Sequence, residues 1–285
     1  MPHVPIAFLG DIVGSPGRSA AAGAIPILRE RHKAALVIAN AENSKHGSGI
    51  SADNYRELRR AGIDAITLGD HWLRDRAIAP VLDDPGEPIA RPANLSSRAP
   101  GKRRIRLALA GASGPLYVIT VLGRIFMPIP SDSPFDALDR EIASIPEEGA
   151  MVIVEVHAEV TSEKAAIAWH CAMRYSGATL PGESSPPPAA APRVVAVVGT
   201  HTHVQTADAR IVERQLAAIT DLGMTGPHRS IIGRSIGATL EAMVNQTASA
   251  LDVASDDPRA QGVVITLDTV HRRAISVSAF DLPVC

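Results

Sequence analysis

The chain has 285 residues, 46% apolar and 20% charged, with a formal net charge of −2. That length suffices for a sizeable core, and the near-neutral balance excludes a global field that would recruit nucleic acid or an anionic membrane. Two cysteines, Cys171 and Cys285, exclude a disulfide framework and a CxxC zinc site, and no apolar run approaches a membrane span of ~20 residues.

The N-terminal MPHVPIAFLGD has no basic region, and its apolar run is too short for a signal peptide, so a cytoplasmic protein is expected. Residues 4–10 form the first of several apolar runs, followed by 34–40, 64–69, 116–120, 151–156 and 193–199. Helical periodicity predicts helices over Arg18–His32, Ala52–Ala61, Leu73–Leu82, Phe135–Ile145 and Ser162–Met173. Strands apolar on both faces, joined by crossovers of this length, predict an α/β protein with covered sheets. The basic stretch GKRRIR (101–106) reads as a solvated loop or as a phosphate or RNA contact. A proline-rich segment, 176–193, reads as a surface insertion or a mobile lid. After Asp208 the pattern is less regular, until GVVITLDT and RRAISVSAFDL flank VHRR as an antiparallel hairpin. One domain spanning 1–285 is expected.

Functional groups in open α/β sheets gather beyond the carboxyl ends of strands. The runs end in Asp11, in Glu42 and Asn43, in Asp70 and His71, in His157, and in His201 and His203. Each alone has an ordinary reading, as a helix cap, an Asx turn or a structural imidazole. Together, five strand ends offer only oxygen and imidazole donors, with no cysteine. Such donors suit Mn²⁺, Fe²⁺ or Zn²⁺. Seven candidate ligands exceed what one ion with an open position needs, and fit two ions roughly 3.5–4 Å apart that activate water and clamp a phosphoryl group. His71, beside Asp70, is placed to protonate a leaving alkoxide. A P-loop and GxGxxG are both absent.

FLGDIVGSPGR, AENSKHGSGIS, DAITLGDH, RPANL, VHAEVTSEK, VVGTHTHVQTADARI and ITDLGMTGP together resemble the YmdB-like branch of the calcineurin-like metallophosphoesterases, in order from about residue 4 to the C-terminal hairpin. The resemblance implies a four-layer α/β/β/α sandwich with mixed sheets and two divalent ions per chain, often iron. It implies a hydrolase of phosphodiesters, notably 2′,3′-cyclic nucleotides, with a link to RNA turnover and self-association into a homo-oligomer. Carried over, Asp11 and His203 would serve one ion with Asn43 nearby, and Glu42 would bridge. Asp70, His157 and His201 would serve the second ion, and His71 matches the catalytic histidine. His46 and Arg124 are candidates for substrate contact, and Glu155 for orienting His157 or for a plain buried ion pair. Glu159, Lys164 and Asp208 also match, as caps or loop residues.

Three departures stand out. GDH replaces the family's GNH, so a third carboxylate faces the ions, which would hold cations more tightly and weaken their Lewis acidity. WLRD follows His71 where the family carries a Thr-Trp-Asp-like run, and the 176–193 segment is longer. These departures motivate two alternatives: a metal-binding regulatory or RNA-associated scaffold with weak turnover, and a phosphomonoesterase using the same site.

Overall fold

The computed structural model describes residues 3–177, 188, 190–248 and 250–284. Its chain builds part of one sheet, leaves to build a second, and returns to complete the first. The opening elements are β1 (His3–Leu9), β2 (Asp11–Ile12), α1 (Gly14–Glu30), β3 (Leu36–Asn40), α2 (Ala52–Ala61), β4 (Ala65–Thr67), α3 (Ala79–Asp83) and β5 (Ile89–Ala90). Next come β6 (Ile105–Leu107), β7 (Leu116–Leu122), α4 (Pro134–Ala143), β8 (Met151–His157), α5 (Thr161–Tyr175), β9 (Arg193–Thr200), β10 (Arg210–Val212) and β11 (Leu216–Ile219). Last are β12 (Met224–Pro227), α6 (Ile236–Asn245), β13 (Pro258–Asp268) and β14 (Arg273–Pro283).

The first sheet runs β2-β12-β13-β1-β3-β4-β5, with β14 also paired to β13. In it β1, β3, β4 and β5 are parallel, while β13 is antiparallel to β1. The second runs β10-β11-β9-β8-β7-β6, four parallel strands with antiparallel β10 and β6 at its edges. The predicted hairpin is therefore no appendage, since its first strand lies inside the first sheet against β1.

Strand alternation sorts the side chains into layers. Ile6 and Phe8 of β1 meet Met151 and Ile153 of β8 in a core between the sheets. Ala7 and Leu9 face the other way, onto Ala21, Ala24 and Leu28 of α1 and Leu58 of α2. Val152, Val154 and Val156 pack under Ala137, Leu138 and Ile142 of α4 and Ile167 and Cys171 of α5. The layers are thus helix, sheet, sheet, helix, as the resemblance implied.

Two predicted helices differ from expectation. α1 starts four residues early, at Gly14, because Pro16 falls in the first turn, where no N–H is needed. The helix expected over Leu73–Leu82 is broken into turns, a 3₁₀ turn at Arg76–Ile78 and the short α3. Asp75 captures the Ala77 N–H at 3.0 Å, and Pro80 restarts the chain as a helix. GKRRIR leads into β6, where Arg103 and Arg104 pair with Glu141 and Arg106 with Glu147. Of the proline-rich segment, residues 178–187 and 189 lie outside the described residues.

The sheet-to-sheet core should be sensitive to volume. Phe8 is fully buried there, so Phe8→Ala is expected to cost about 3–5 kcal/mol, read as a lower urea midpoint at unchanged slope.

Candidate metal centre

All five sequence-predicted strand ends open at one edge of the sandwich. Asp11 lies on β2, just past β1, Glu42 and Asn43 follow β3, and Asp70 and His71 follow β4. His157 ends β8, and His201 and His203 follow β9. A β-carbon on Gly69 would stand 2.3 Å from the His157 ring, so only glycine before Asp70 lets the two sheets close on each other here.

The turn carrying the histidine pair is held from beneath. His201 and His203 both adopt left-handed backbone (φ 97° and 64°), a strained conformation for such residues. Between them, Thr202 donates its N–H (3.1 Å) and its hydroxyl (2.8 Å) to Asp221 Oδ2. The same oxygen accepts from Lys164 Nζ at 2.7 Å, and both members of that ion pair are buried. A central residue pinned this way points its two neighbours to different places.

One place is the group of Glu42, Asp70, His157 and His201, with one potential ligand atom from each and all of these within 4.8 Å of one another. His157 Nε2 lies 3.1 Å from Glu42 Oε1, 3.0 Å from Asp70 Oδ1 and 3.1 Å from His201 Nδ1. A single imidazole nitrogen cannot satisfy three such partners, and Glu42 Oε1 has no properly directed hydrogen bond despite its burial. Donors converging on a shared point, with one left orphaned, fit a divalent cation of the kind that imidazole and carboxylate bind. These four residues could hold a metal.

The other place is Asp11, Asn43 and His203. His203 Nδ1 donates to the Ile232 carbonyl at 2.9 Å, which leaves Nε2 as the free acceptor, 3.8 Å from Asp11 Oδ1. The Asn43 amide nitrogen sits 3.3 Å from that Nε2 and 3.5 Å from Asp11 Oδ1. A donor therefore occupies the point where two acceptors meet. The Asp11 Oδ2 atom accepts the His201 N–H at 3.1 Å and ties the two places together. Asn43 Oδ1 in turn accepts from His71 Nδ1 at 2.7 Å, and the His71 N–H donates to Glu42 Oε2 at 2.9 Å. His71 Nε2 is left 3.6 Å from Asp70 Oδ2, on the partly exposed side.

Burial and crowding set the charges. Asp11 is fully buried, and that desolvation pushes its carboxyl up to about 7. Burial also opposes the charge on Glu42 and Asp70, yet His157 outweighs it and holds both carboxyls below their usual range, with a further hydrogen bond from His201 to Asp70. His157 is the counterpart: burial disfavours its proton, but Glu42 and Asp70 raise it well above the ordinary value. Burial lowers His203, favouring the neutral form that binds metals.

The supporting residues were only partly foreseen. Of the two readings of Glu155, the orienting one fits, and among the described residues no ion pair holds it. It accepts from Asn40 (2.7 Å), Thr120 (2.9 Å) and Thr200 (2.8 Å), and the Thr200 oxygen meets His157 Nδ1 at 2.9 Å. Glu155 therefore orients His157 through Thr200. Asn40, Thr200 and Asp221 escaped the sequence reading because a threonine, an amide or a lone carboxylate beside a strand end is ordinary. Glu159 stands 3.3 Å from His201 Nε2, and Asp208 ties Thr206 and Thr220 within a loop. The Arg124 side chain is exposed, and its N–H is fixed by Glu163 at 2.9 Å, next to Gly123, which donates to the His157 carbonyl. His46 is exposed, with its carbonyl held by Arg234 at 3.2 Å.

Two sheets sandwiched between helices, with a metal-capable cluster at the strand ends, define a hydrolase of the metallophosphoesterase type. More narrowly, the pattern of YmdB-like proteins matches residues 7–179 and 189–280, and the chain belongs to that family. It is 36% identical over 272 residues to a 2′,3′-cyclic-nucleotide 2′-phosphodiesterase of Bacillus subtilis, covering 95% of this chain and 94% of the relative. A solved structure of a hypothetical protein from Thermus thermophilus is 34% identical with a TM-score of 0.83, covering 99% of this chain and 100% of that one. A novel phosphatase from Mycoplasma pneumoniae is 28% identical with a TM-score of 0.85, covering 99% and 94%.

Removing the cation under the histidine turn leaves Asp221 buried and unpaired, so Lys164→Met should lose about 3–5 kcal/mol in chemical denaturation. Because His157 carries a proton and Asp11 titrates near neutrality, loading Mn²⁺ near pH 7 should release about one proton or more per chain, with affinity rising as pH rises. Calorimetric titrations in buffers of different ionisation enthalpy read this directly, and equal heats in all buffers would contradict it.

Proposed function

We propose that this protein is a phosphodiesterase that cleaves 2′,3′-cyclic nucleotides at a centre of two divalent ions. The convergence of Glu42, Asp70, His157 and His201 beside Asp11, Asn43 and His203 carries the reading. Iron is the metal that the resemblance favours, with manganese or zinc compatible with the same donors. The substrate is proposed from the Bacillus subtilis relative, named for 2′,3′-cyclic nucleotides.

Asp11 and His203 would hold one ion, with Asn43 alongside, Asp70, His157 and His201 the other, and Glu42 both. When bound, the ions would supply Lewis acidity toward the phosphoryl oxygens and lower the pKa of water. The protein's own part begins with His157, oriented by Thr200 and Glu155, and His203, oriented by Ile232. His71 is the proton donor of this reading. Asn43 and Glu42 grip its Nδ1 and its backbone N–H, so Nε2 is the nitrogen left to pass a proton to the departing sugar oxygen. Arg124 and His46, both exposed, on the loops that follow β7 and β3, would meet the substrate. A cytoplasmic location, a link to RNA and self-association belong to the same reading. So does a single domain, supported by ligands drawn from both sheets.

Asp70 favours a second reading, a metal-holding protein with weak turnover, because its carboxylate adds a negative charge where a diester must approach. Metal content and hydrolysis of 2′,3′-cyclic AMP, measured for wild type, His71→Ala and Asp70→Asn, separate the two. The first reading expects two metals per chain, clear wild-type turnover, and a kcat about 10²–10⁴-fold lower in His71→Ala. Negligible wild-type turnover restored by Asp70→Asn would establish the second reading, and failure to take up Mn²⁺ or Fe²⁺ would end both.

A further inference from the structure

Aromatic residues are scarce in this chain, and three of its four phenylalanines are packed. Phe8 and Phe280 are buried, and Phe135 lies against the core under α4 and α5. Phe126 is 86% exposed. Its backbone is also left-handed, at φ 60°, a conformation that glycine or asparagine adopts readily and a bulky side chain seldom enters. A residue that is neither packed nor relaxed needs another reason to be there.

The loop that carries it is fastened at its base and at its tip. It leaves β7 at Leu122 and closes at Asp132, and the buried Asn94 side chain clasps both ends. The Asn94 amide nitrogen donates to the Leu122 carbonyl (2.8 Å) and to the Asp132 carbonyl (3.0 Å), and its oxygen accepts the Leu122 N–H at 2.8 Å. At the tip, the buried Glu163 carboxylate accepts the Arg124 N–H (2.9 and 3.1 Å) and the Ile125 N–H (3.4 Å). A β-carbon on Gly123 would stand 2.4 Å from Glu163 Oε2 and 2.5 Å from the Ala158 β-carbon, so only glycine lets the loop settle on that carboxylate. Pro128 and Pro130 fix two more backbone angles. Compact closed loops of this length are frequently functional.

Its position selects the ligand. Leu122 pairs with His157 across β7 and β8, and the Gly123 N–H donates to the His157 carbonyl at 2.9 Å. Phe126 follows three residues later, so its Cα lies within about 11 Å of that of Gly123. Arg124, exposed on the same loop, adds a positive charge suited to an anionic ligand. One ring, with Ile125 partly exposed beside it, is too small for a protein interface, which needs about 800 Å² per partner. A ring face does match a single planar heterocycle, because every base has a face that stacks on an aromatic side chain. In a nucleotide that heterocycle stands one ribose away from the phosphodiester.

We propose that Phe126 is the platform on which the base of a nucleotide substrate stacks while its phosphodiester occupies the metal centre. This rests on the phosphodiesterase reading above and adds recognition of the base to it. The strained backbone and the clasped loop then share one purpose. They hold the ring out in solvent before substrate arrives, so little freedom is lost when the base lands on it.

The test compares 2′,3′-cyclic AMP with methyl riboside 2′,3′-cyclic phosphate, the same diester without a base. Wild type should prefer the nucleotide in kcat/KM. Phe126→Ala should shrink that preference roughly tenfold or more, through KM, whereas Phe126→Tyr should keep it. A merely structural role would lower both substrates alike and shift the thermal midpoint. Should turnover be absent altogether, or Phe126→Ala fail to fold, a second measurement decides without metal or chemistry. Millimolar adenosine should quench the fluorescence of Phe126→Trp beyond its effect on Trp72 and Trp169 in wild type, and ribose should not. No preference for the nucleotide in wild type, an unchanged preference in folded Phe126→Ala, or no added quenching in Phe126→Trp would overturn the proposal. With clear turnover of both diesters, such a result would leave the phosphodiesterase reading standing.

Discussion

Three carboxylates, Asp11, Glu42 and Asp70, lie buried around a common centre, and like charges withdrawn from water need positive charge nearby. The chain provides part of it through His157, whose proton the carboxylates stabilise. Burial pushes the Asp11 carboxyl up to about 7, and the remaining donors converge on points that a divalent cation would satisfy better than any side chain in reach.

That arrangement costs backbone strain and buried polarity, and the fold offsets both locally. The left-handed His201 and His203 persist because Thr202 is fastened to Asp221, itself neutralised by Lys164 in the interior. Among the described residues no cation pairs with Glu155. Its charge is spread over three hydrogen bonds from Asn40, Thr120 and Thr200, and through Thr200 it sets the ring of His157. Such a network is worth keeping only if the position of that imidazole matters, since an apolar core would fill the same volume more cheaply.

The sheet topology explains why so few residues suffice. Parallel strands deliver their carboxyl ends to one edge, so β1, β3, β4, β8 and β9 each contribute a turn to the same centre. The C-terminal return through β12, β13 and β14 then seals the first sheet beside β1, and the strap between β12 and β13 carries Ile232 to His203.

Much of this was legible in the sequence. The apolar runs marked the parallel strands, because strands buried on both faces have no polar alternation to hide them. The residues ending each run marked the site, because oxygen and imidazole donors at five strand ends have no common structural explanation. Where local signals competed, the reading slipped: Asp75 and Pro80 divided the helix expected over Leu73–Leu82, and Pro16 disguised the start of α1. The sequence by itself determined the α/β pattern with covered sheets and the candidate ligands, which depend on periodicity and on residue type. Only the tertiary structure decided which donors meet, that β13 enters the first sheet, and that Glu155 reaches His157 through Thr200. Those outcomes rest on contacts between residues far apart in the chain, and nothing in a local stretch of sequence fixes the distance between them.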